Sequence, residues 1–209
     1  MTLETWLAFF LACWLISLSP GAGAVASMSA GLAHGFWRGY WNALGLQIAL
    51  LAQIAVVAAG LGAVLATSEL AFNLIKWFGV AYLIYLGWCQ WVAPPGEIQT
   101  AGETRATSAW TLVLRGFLVN ASNPKAIIFI LAVLPQFLNP AAPLLAQYLL
   151  MALTMVTVDL IVMAGYTGLA AQVLRRLREP RQQRLMNKTF GGLFMVAAAL
   201  LATVRRAAA

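Results

Sequence analysis

The fold is decided by Leu18-Ser19-Pro20-Gly21-Ala22-Gly23-Ala24, which lies in the middle of an apolar run from Leu3 to about Ala33. Because proline lacks a backbone donor and glycine allows non-helical angles, a helix that reaches Ser19 should break there. An unbroken helix of about 31 residues would be about 46 Å long, whereas the hydrocarbon core of a membrane is about 30 Å thick. The break therefore falls near mid-membrane, where open backbone is tolerated only against protein or a water-filled cavity. We interpret it as one wall of a solute site.

A second interruption repeats the pattern. Asn120-Ala121-Ser122-Asn123-Pro124-Lys125 divides an apolar run from about Trp110 to Phe137, and its proline lies 104 residues after Pro20 in a chain of 209. Interrupted spans at matching places in two halves indicate the binding site of a transporter. Two unrelated proline kinks are the alternative, but the half-length spacing favours duplication.

The composition identifies the class of protein. The chain is 62% hydrophobic and 9% charged, whereas a soluble domain has about 25% charged residues. Long apolar runs without short alternating strands predict an all-α integral membrane protein in contact with lipid. The net charge of +7 does not indicate nucleic acid, because six of the thirteen basic residues cluster from Arg175 to Lys188, beside a predicted span. Cys13 and Cys89 lie inside apolar spans, so we expect packed free thiols and no metal site.

The apolar runs predict six spans, with the first and fourth broken at Pro20 and Pro124. Their expected limits are 3–33, 40–66, 70–91, 110–137, 144–174 and 189–204. Three spans in residues 1–92 and three in residues 110–209, joined by a cytoplasmic linker at residues 93–109, give two inverted repeats. Nine basic residues fall in loops 1, 3 and 5, and two follow the last span. The positive-inside rule then places both termini in the periplasm.

Polar residues near the two breaks are the candidates for solute binding. The half-helix after each break presents free amides and a positive dipole end, which suit a carboxylate. Lys125 adds a full charge, Asp159 could hold an ammonium or a coupling proton, and amides or Ser19 could serve a hydroxyl. The candidate residues are Ser19, Pro20, Gly21, Gly23, Gln47, Asn120, Asn123, Pro124, Lys125 and Asp159. The alternative for the two charges is a mutual ion pair that locks spans 4 and 5.

A series of motifs resembles one known family over the whole chain. Besides the two breaks, it comprises His34-Gly35, Leu46-Gln47, Lys76-Trp77, Ala81-Tyr-Leu-Ile-Tyr-Leu-Gly87, Leu134-Pro-Gln-Phe137, Val158-Asp159-Leu-Ile-Val-Met163 and Gly165-Tyr166. The chain resembles the LysE/RhtB amino-acid exporters, most closely the homoserine and homoserine lactone branch. Many members carry an acidic residue where this chain has Gln47, which puts proton coupling by span 2 in doubt and directs attention to Asp159.

The resemblance implies efflux of homoserine, homoserine lactone and threonine across the bacterial inner membrane, driven by an ion gradient, with H+ as the expected coupling ion. No enzyme activity, metal or cofactor is expected, because the chain has one histidine, at a span end, no HExxH motif, and too few thiol, imidazole and carboxylate ligands for a metal. A channel-like pore, an exporter of another small solute and a metal exporter are the alternatives. The sequence leaves open whether the chain acts alone or as a homodimer.

Overall fold

The computed structural model describes residues 1–67, 69–92, 107–170 and 179–203, and these residues form helices joined by short turns. The helices are α1 (Leu3–Leu18), α2 (Ala22–Thr67), α3 (Glu69–Val92), α4 (Ala109–Ala121), α5 (Pro124–Ile128), α6 (Leu144–Gly168) and α7 (Pro180–Thr203). After α5 the chain continues through a π-helical turn, Phe129–Val133, and a 3₁₀ turn, Leu134–Phe137. The all-helical class predicted from the sequence is therefore confirmed.

Both predicted breaks are present. α1 ends at Leu18, and α2 begins at Ala22 after Ser19-Pro20-Gly21. α4 ends at Ala121 and α5 begins at Pro124, and the segment Pro124–Phe137 is bent by 57° relative to α4. Proline at the first position of α5 is well placed, because its missing N–H would have no helical partner there.

Helix α2 folds back on itself at Gly35. This residue has φ 72° and ψ 175°, a left-handed φ that glycine adopts without strain. Residues 22–34 and 36–67 then run antiparallel: a Cβ built on Gly39 would lie 2.7 Å from the Ala30 carbonyl oxygen, and one on Gly23 would lie 3.5 Å from the Leu46 side chain. The hairpin brings the residues after the first break onto the middle of α2.

Glycines also allow close backbone contact at two helix crossings. A Cβ on Gly87 of α3 would lie 3.0 Å from the Gly191 carbonyl oxygen, and one on Gly191 of α7 would lie 2.8 Å from the Gly87 oxygen. In the α2–α4 crossing, a Cβ on Gly45 would overlap the Val113 carbonyl, and one on Gly116 would overlap that of Asn42. Small residues allow such backbone approach in membrane helices.

The buried core lies where α1, α2, the turns after α5, and α6 meet. Phe9, Cys13, Ile130, Leu134 and Met151 are 0% exposed there. Many large apolar side chains are exposed on the outside of the bundle, as expected of a surface that faces lipid.

The six-span count remains a prediction. Among the described residues, Ala22–Gly60 and Leu144–Gly168 are long and apolar enough to cross a membrane, and the bent pair Ala109–Ala121 and Pro124–Phe137 adds a third span if it is counted as one. Leu3–Leu18 and Trp77–Cys89 are apolar but shorter. The Gly35 fold-back lies inside the first of these stretches.

Two predicted span starts differ from the observed helix starts, and three predicted features lie wholly or partly outside the described residues. The last helix begins at Pro180, nine residues before the predicted Thr189, because proline is compatible with a first helical turn and did not interrupt this segment. The second arm of α2 begins at residue 36 and not at Tyr40, because Gly35 alone makes the turn. The end of the fifth span near Leu174, most of the 93–109 linker and the C-terminal basic pair fall outside the described residues.

Candidate functional site

The first break leaves backbone carbonyls at the end of α1, and side chains from other helices bind them. The last turn of α1 has no basic residue of its own. Instead, Tyr166 of α6 donates its hydroxyl to the Leu18 carbonyl oxygen over 2.7 Å, and Lys125 Nζ donates to the Ser19 carbonyl oxygen over 2.6 Å. A cation at a helix C-terminus also interacts favourably with the helix dipole. The two breaks therefore contact each other directly.

The second break is capped locally and tied to α2. Asn123 Oδ1 accepts from the Lys125 backbone N–H over 3.1 Å, which is a standard N-terminal cap. Asn120 Nδ2 donates to the Leu46 carbonyl oxygen over 2.9 Å, and Gln53 Nε2 donates to the Asn120 carbonyl oxygen over 2.9 Å. The position of this break is thus set by side-chain amides from both helices.

Between the breaks lies a cavity with about 560 Å³ of empty space, part of it open to the outside. Its polar lining comes from α1, the two breaks and α6. Seven of the ten predicted site residues line it: Ser19, Gly21, Gly23, Asn120, Asn123, Lys125 and Asp159. Pro20 and Pro124 shape the breaks without lining the cavity, and Gln47 lies behind Asp159.

Asp159 is held by two neighbours on other helices. Gln47 Nε2 donates to Asp159 Oδ2 over 2.6 Å, and the Ser17 hydroxyl also hydrogen bonds to this carboxylate. Gln47 is only 4% exposed, and its Oε1 has no hydrogen-bond partner. These contacts fix one carboxylate oxygen and the direction of the side chain toward the cavity.

Asp159 and Lys125, which both belong to the described part of the chain, face the same cavity without forming a direct ion pair. The nearest partners are Gln47 for the carboxylate and the Ser19 carbonyl for the ammonium. Their opposite charges still attract each other across the cavity. A site with separated charges of opposite sign can bind a molecule that carries both an ammonium and a carboxylate.

Sequence reasoning missed several lining residues. Met155 and Met163 lie four residues before and after Asp159, so helical spacing alone places them on its face of α6. Ser17, Ile16, Leu46, Leu50 and Phe129 also contribute to the lining or to its polar cluster. By contrast, nothing in the sequence indicated that Tyr166 donates a hydrogen bond to the Leu18 carbonyl oxygen.

The structure also bears on metals and thiols. Within residues 1–67, 69–92, 107–170 and 179–203, no three His, Cys, Asp or Glu side chains are grouped as metal ligands would be. Cys13 is buried, Cys89 is partly exposed, and both are free thiols.

A helical membrane protein with a charged cavity at two helix breaks is typical of translocators, and the comparisons with known proteins agree. The model of the LysE type translocator family matches residues 14–205, so the chain belongs to this family. It is therefore a transporter and not an enzyme.

Among the similar proteins is a Salmonella typhimurium protein named homoserine/homoserine lactone efflux protein, which is 43% identical over 208 residues and covers 99% of this chain and 100% of its own length. A Vibrio cholerae protein described as an uncharacterized membrane protein is 44% identical over 207 residues, 98% of this chain and 100% of its own. A leucine efflux protein from an Enterobacter species is 27% identical over 198 residues, 94% of each chain. No solved structure matches the chain.

Proposed function

We propose that this protein is a proton-coupled secondary transporter that exports homoserine, homoserine lactone and threonine across the bacterial inner membrane. The observation that carries the proposal is the pair of opposite charges, Asp159 and Lys125, that faces one cavity without an ion pair between them. A neutral amino acid such as homoserine or threonine carries the complementary two charges and could therefore satisfy both side chains at once. Homoserine lactone, by contrast, has no free carboxylate and would be held through its ammonium and the amide groups.

The carboxylate end of the substrate is assigned to the two breaks. The first helical hydrogen bond of α2 runs from Val25 N to Gly21 O, so the amides before Val25 precede the helical ladder. Gly21 and Gly23 line the cavity at that place, and Lys125 reaches it from the second break. Free amides, the positive end of a helix dipole and an ammonium together favour a carboxylate.

The ammonium end is assigned to Asp159. This is the one acidic residue deep in an apolar run, and such residues are usually functional because they are costly to bury. We assign to the same carboxylate the exchange of the coupling proton, since Gln47 is an amide and cannot titrate.

The choice of substrate rests on the relatives. The Salmonella relative, at 43% identity over its whole length, is named for homoserine and homoserine lactone, whereas the leucine efflux protein is only 27% identical. Two hydroxyl-bearing amino acids, homoserine and threonine, would also find amide groups in the lining.

The proposed transporter has six spans in two inverted repeats, with both termini in the periplasm. The offset of 104 residues that relates Pro20 to Pro124 also relates Gly87 to Gly191, and these two glycines pack reciprocally. Reciprocal contact of equivalent residues is what a two-fold relation between repeats would produce. Impermeant thiol labelling of single cysteines in intact cells should mark position 209 and not position 182; labelling of position 182 alone would reverse the orientation.

Counterflow of labelled homoserine in proteoliposomes tests the function. We expect saturable exchange, and efflux that an uncoupler stops. Asp159→Asn should abolish gradient-driven efflux while the protein stays folded, and Glu4→Gln, an exposed acid in the first turn of α1, should leave it unchanged.

Three outcomes would count against the proposal. Flux that neither saturates nor responds to an uncoupler would favour a pore. Absence of exchange by folded protein would exclude homoserine. Full activity of Asp159→Asn combined with Lys125→Met would leave the two charges a structural role only.

A further inference from the structure

The side-chain amides of Asn120 and Asn123 are each held in one orientation by a hydrogen bond to a backbone group. Asn123 Oδ1 accepts from the Lys125 backbone N–H, so its other atom, Nδ2, is the one directed elsewhere. Asn120 Nδ2 donates to the Leu46 carbonyl oxygen, so its Oδ1 is the atom left over. Because a backbone N–H can only donate and a carbonyl can only accept, neither amide can be reversed without losing its bond.

The two remaining atoms, Asn123 Nδ2 and Asn120 Oδ1, are neighbours but form only a long hydrogen bond. Asn123 Nδ2 lies 3.5 Å from Asn120 Oδ1, beyond the usual 2.7–3.2 Å of a hydrogen bond between nitrogen and oxygen. Asn120 is 8% exposed, and both residues line the cavity that the proposed substrate would occupy. Lys125 and Asp159, which also line the cavity, are assigned to the two charged ends of the substrate, and the Ser17 hydroxyl is already bonded to Asp159.

We propose that Asn120 Oδ1 and Asn123 Nδ2 form a subsite for the side-chain hydroxyl of the transported amino acid. A hydroxyl is both donor and acceptor, so it can donate to Asn120 Oδ1 and accept from Asn123 Nδ2, replacing one poor hydrogen bond by two good ones. This inference rests on the proposed function and adds to it the basis for preferring a hydroxyl over an alkyl group of equal size.

Norvaline is the sharpest probe, because it has a methyl group where homoserine has its hydroxyl. An alkyl side chain would separate the two amide atoms from each other and pair with neither, and unpaired buried polar groups are costly. We therefore expect the wild-type protein to exchange homoserine with a kcat/KM about tenfold or more above that of norvaline.

Asn123→Ser is the test variant. Serine caps a helix about as well as asparagine, so the start of α5 is kept while the amide donor is removed. Homoserine exchange should fall about tenfold and norvaline exchange should change by less than about twofold. Asn123→Asp, which keeps size and cap but replaces the donor by an acceptor, should reduce the homoserine preference in the same direction. Ser122→Ala is the matched control, since Ser122 lies in the same break but bonds to Leu118 and does not line the cavity.

The outcomes separate this inference from the proposed function. Equal losses for homoserine and norvaline in the folded Asn123 variants, or no loss for either, would overturn the hydroxyl subsite and leave amino-acid export standing. A wild-type protein that exchanges neither amino acid would overturn both. A selective loss of homoserine exchange supports the subsite.

Discussion

Helices α4 and α1 each lead into one of the two breaks, yet they are attached to the rest of the molecule in different ways. α4 crosses α2 at backbone distance: Gly45 lies against the Val113 carbonyl and Gly116 against that of Asn42, with no room for a Cβ at either glycine. Side-chain amides add to the contact, as Asn42 Nδ2 donates to the Leu112 carbonyl oxygen over 3.3 Å. The second break is thus part of a closely packed pair.

α1 contains no glycine, and besides the packing of Phe9 and Cys13 in the core it is held by hydrogen bonds from long side chains. Trp6 Nε1 donates to Thr154 Oγ1 over 3.1 Å near its beginning, and Tyr166 and Lys125 bind the carbonyls at its end. Side-chain hydrogen bonds between membrane helices stabilise by only about 0.6 kcal/mol on average. Two helices whose backbones are in contact at glycines, by contrast, lose van der Waals packing over the whole crossing when they separate. The comparison therefore predicts that α4 is a fixed wall of the cavity and that α1 is the wall that moves during transport.

The largest effect is expected at the α2–α4 crossing. Gly116→Ala places a methyl group on the Asn42 carbonyl, so the two backbones must move apart, and the free energy of unfolding should fall by about 2–3 kcal/mol. Denaturant titration in detergent micelles measures the change. Gly60→Ala on α2, where nothing lies within 4 Å of the new Cβ, is the control and should be neutral or slightly stabilising. Equal stability of both variants would contradict the view of α4 as interlocked.

A smaller effect is expected when the cation at the end of α1 is removed. Cys13 is 0% exposed on α1, so in a Cys89→Ala background its alkylation by a membrane-permeable maleimide reports displacement of α1. Lys125→Met loses a hydrogen bond from a charged donor, and alkylation should be about tenfold faster. Lys188→Met, at an exposed lysine, should leave the rate unchanged. An unchanged rate in Lys125→Met would show that this contact does not hold α1.

The smallest effect is expected for Tyr166→Phe, which removes the neutral hydrogen bond to Leu18. A loss of about 0.6 kcal/mol corresponds to alkylation of Cys13 about threefold faster in the same background. Tyr148→Phe is the matched control on the same helix, because the buried Tyr148 hydroxyl has no partner to lose. The same acceleration in both variants would trace it to general loosening of α6.

Much of the site could be predicted because its causes are local. Proline and glycine act on the backbone of their own segment, so the breaks at Pro20 and Pro124 follow from the residue types. Because charged residues are rare in apolar runs, Lys125 and Asp159 could be chosen from the sequence as candidate site residues. Both line the cavity. The sequence did not show that α7 begins at Pro180, nine residues before the predicted sixth span, because proline is compatible with either the end or the beginning of a helix.

The sequence alone determined that the chain is a helical membrane protein with two broken spans and with two charged residues, Lys125 and Asp159, inside its apolar runs. The tertiary structure decided which groups meet: Lys125 binds the Ser19 carbonyl instead of Asp159, Asp159 accepts from Gln47, and Gly35 folds α2 back to bring Leu46 beside Gly23. The reason is physical. Helix breaking depends on the donors and angles of a few adjacent residues, whereas the partner of a buried polar group depends on helices that are distant in the chain and meet only after packing.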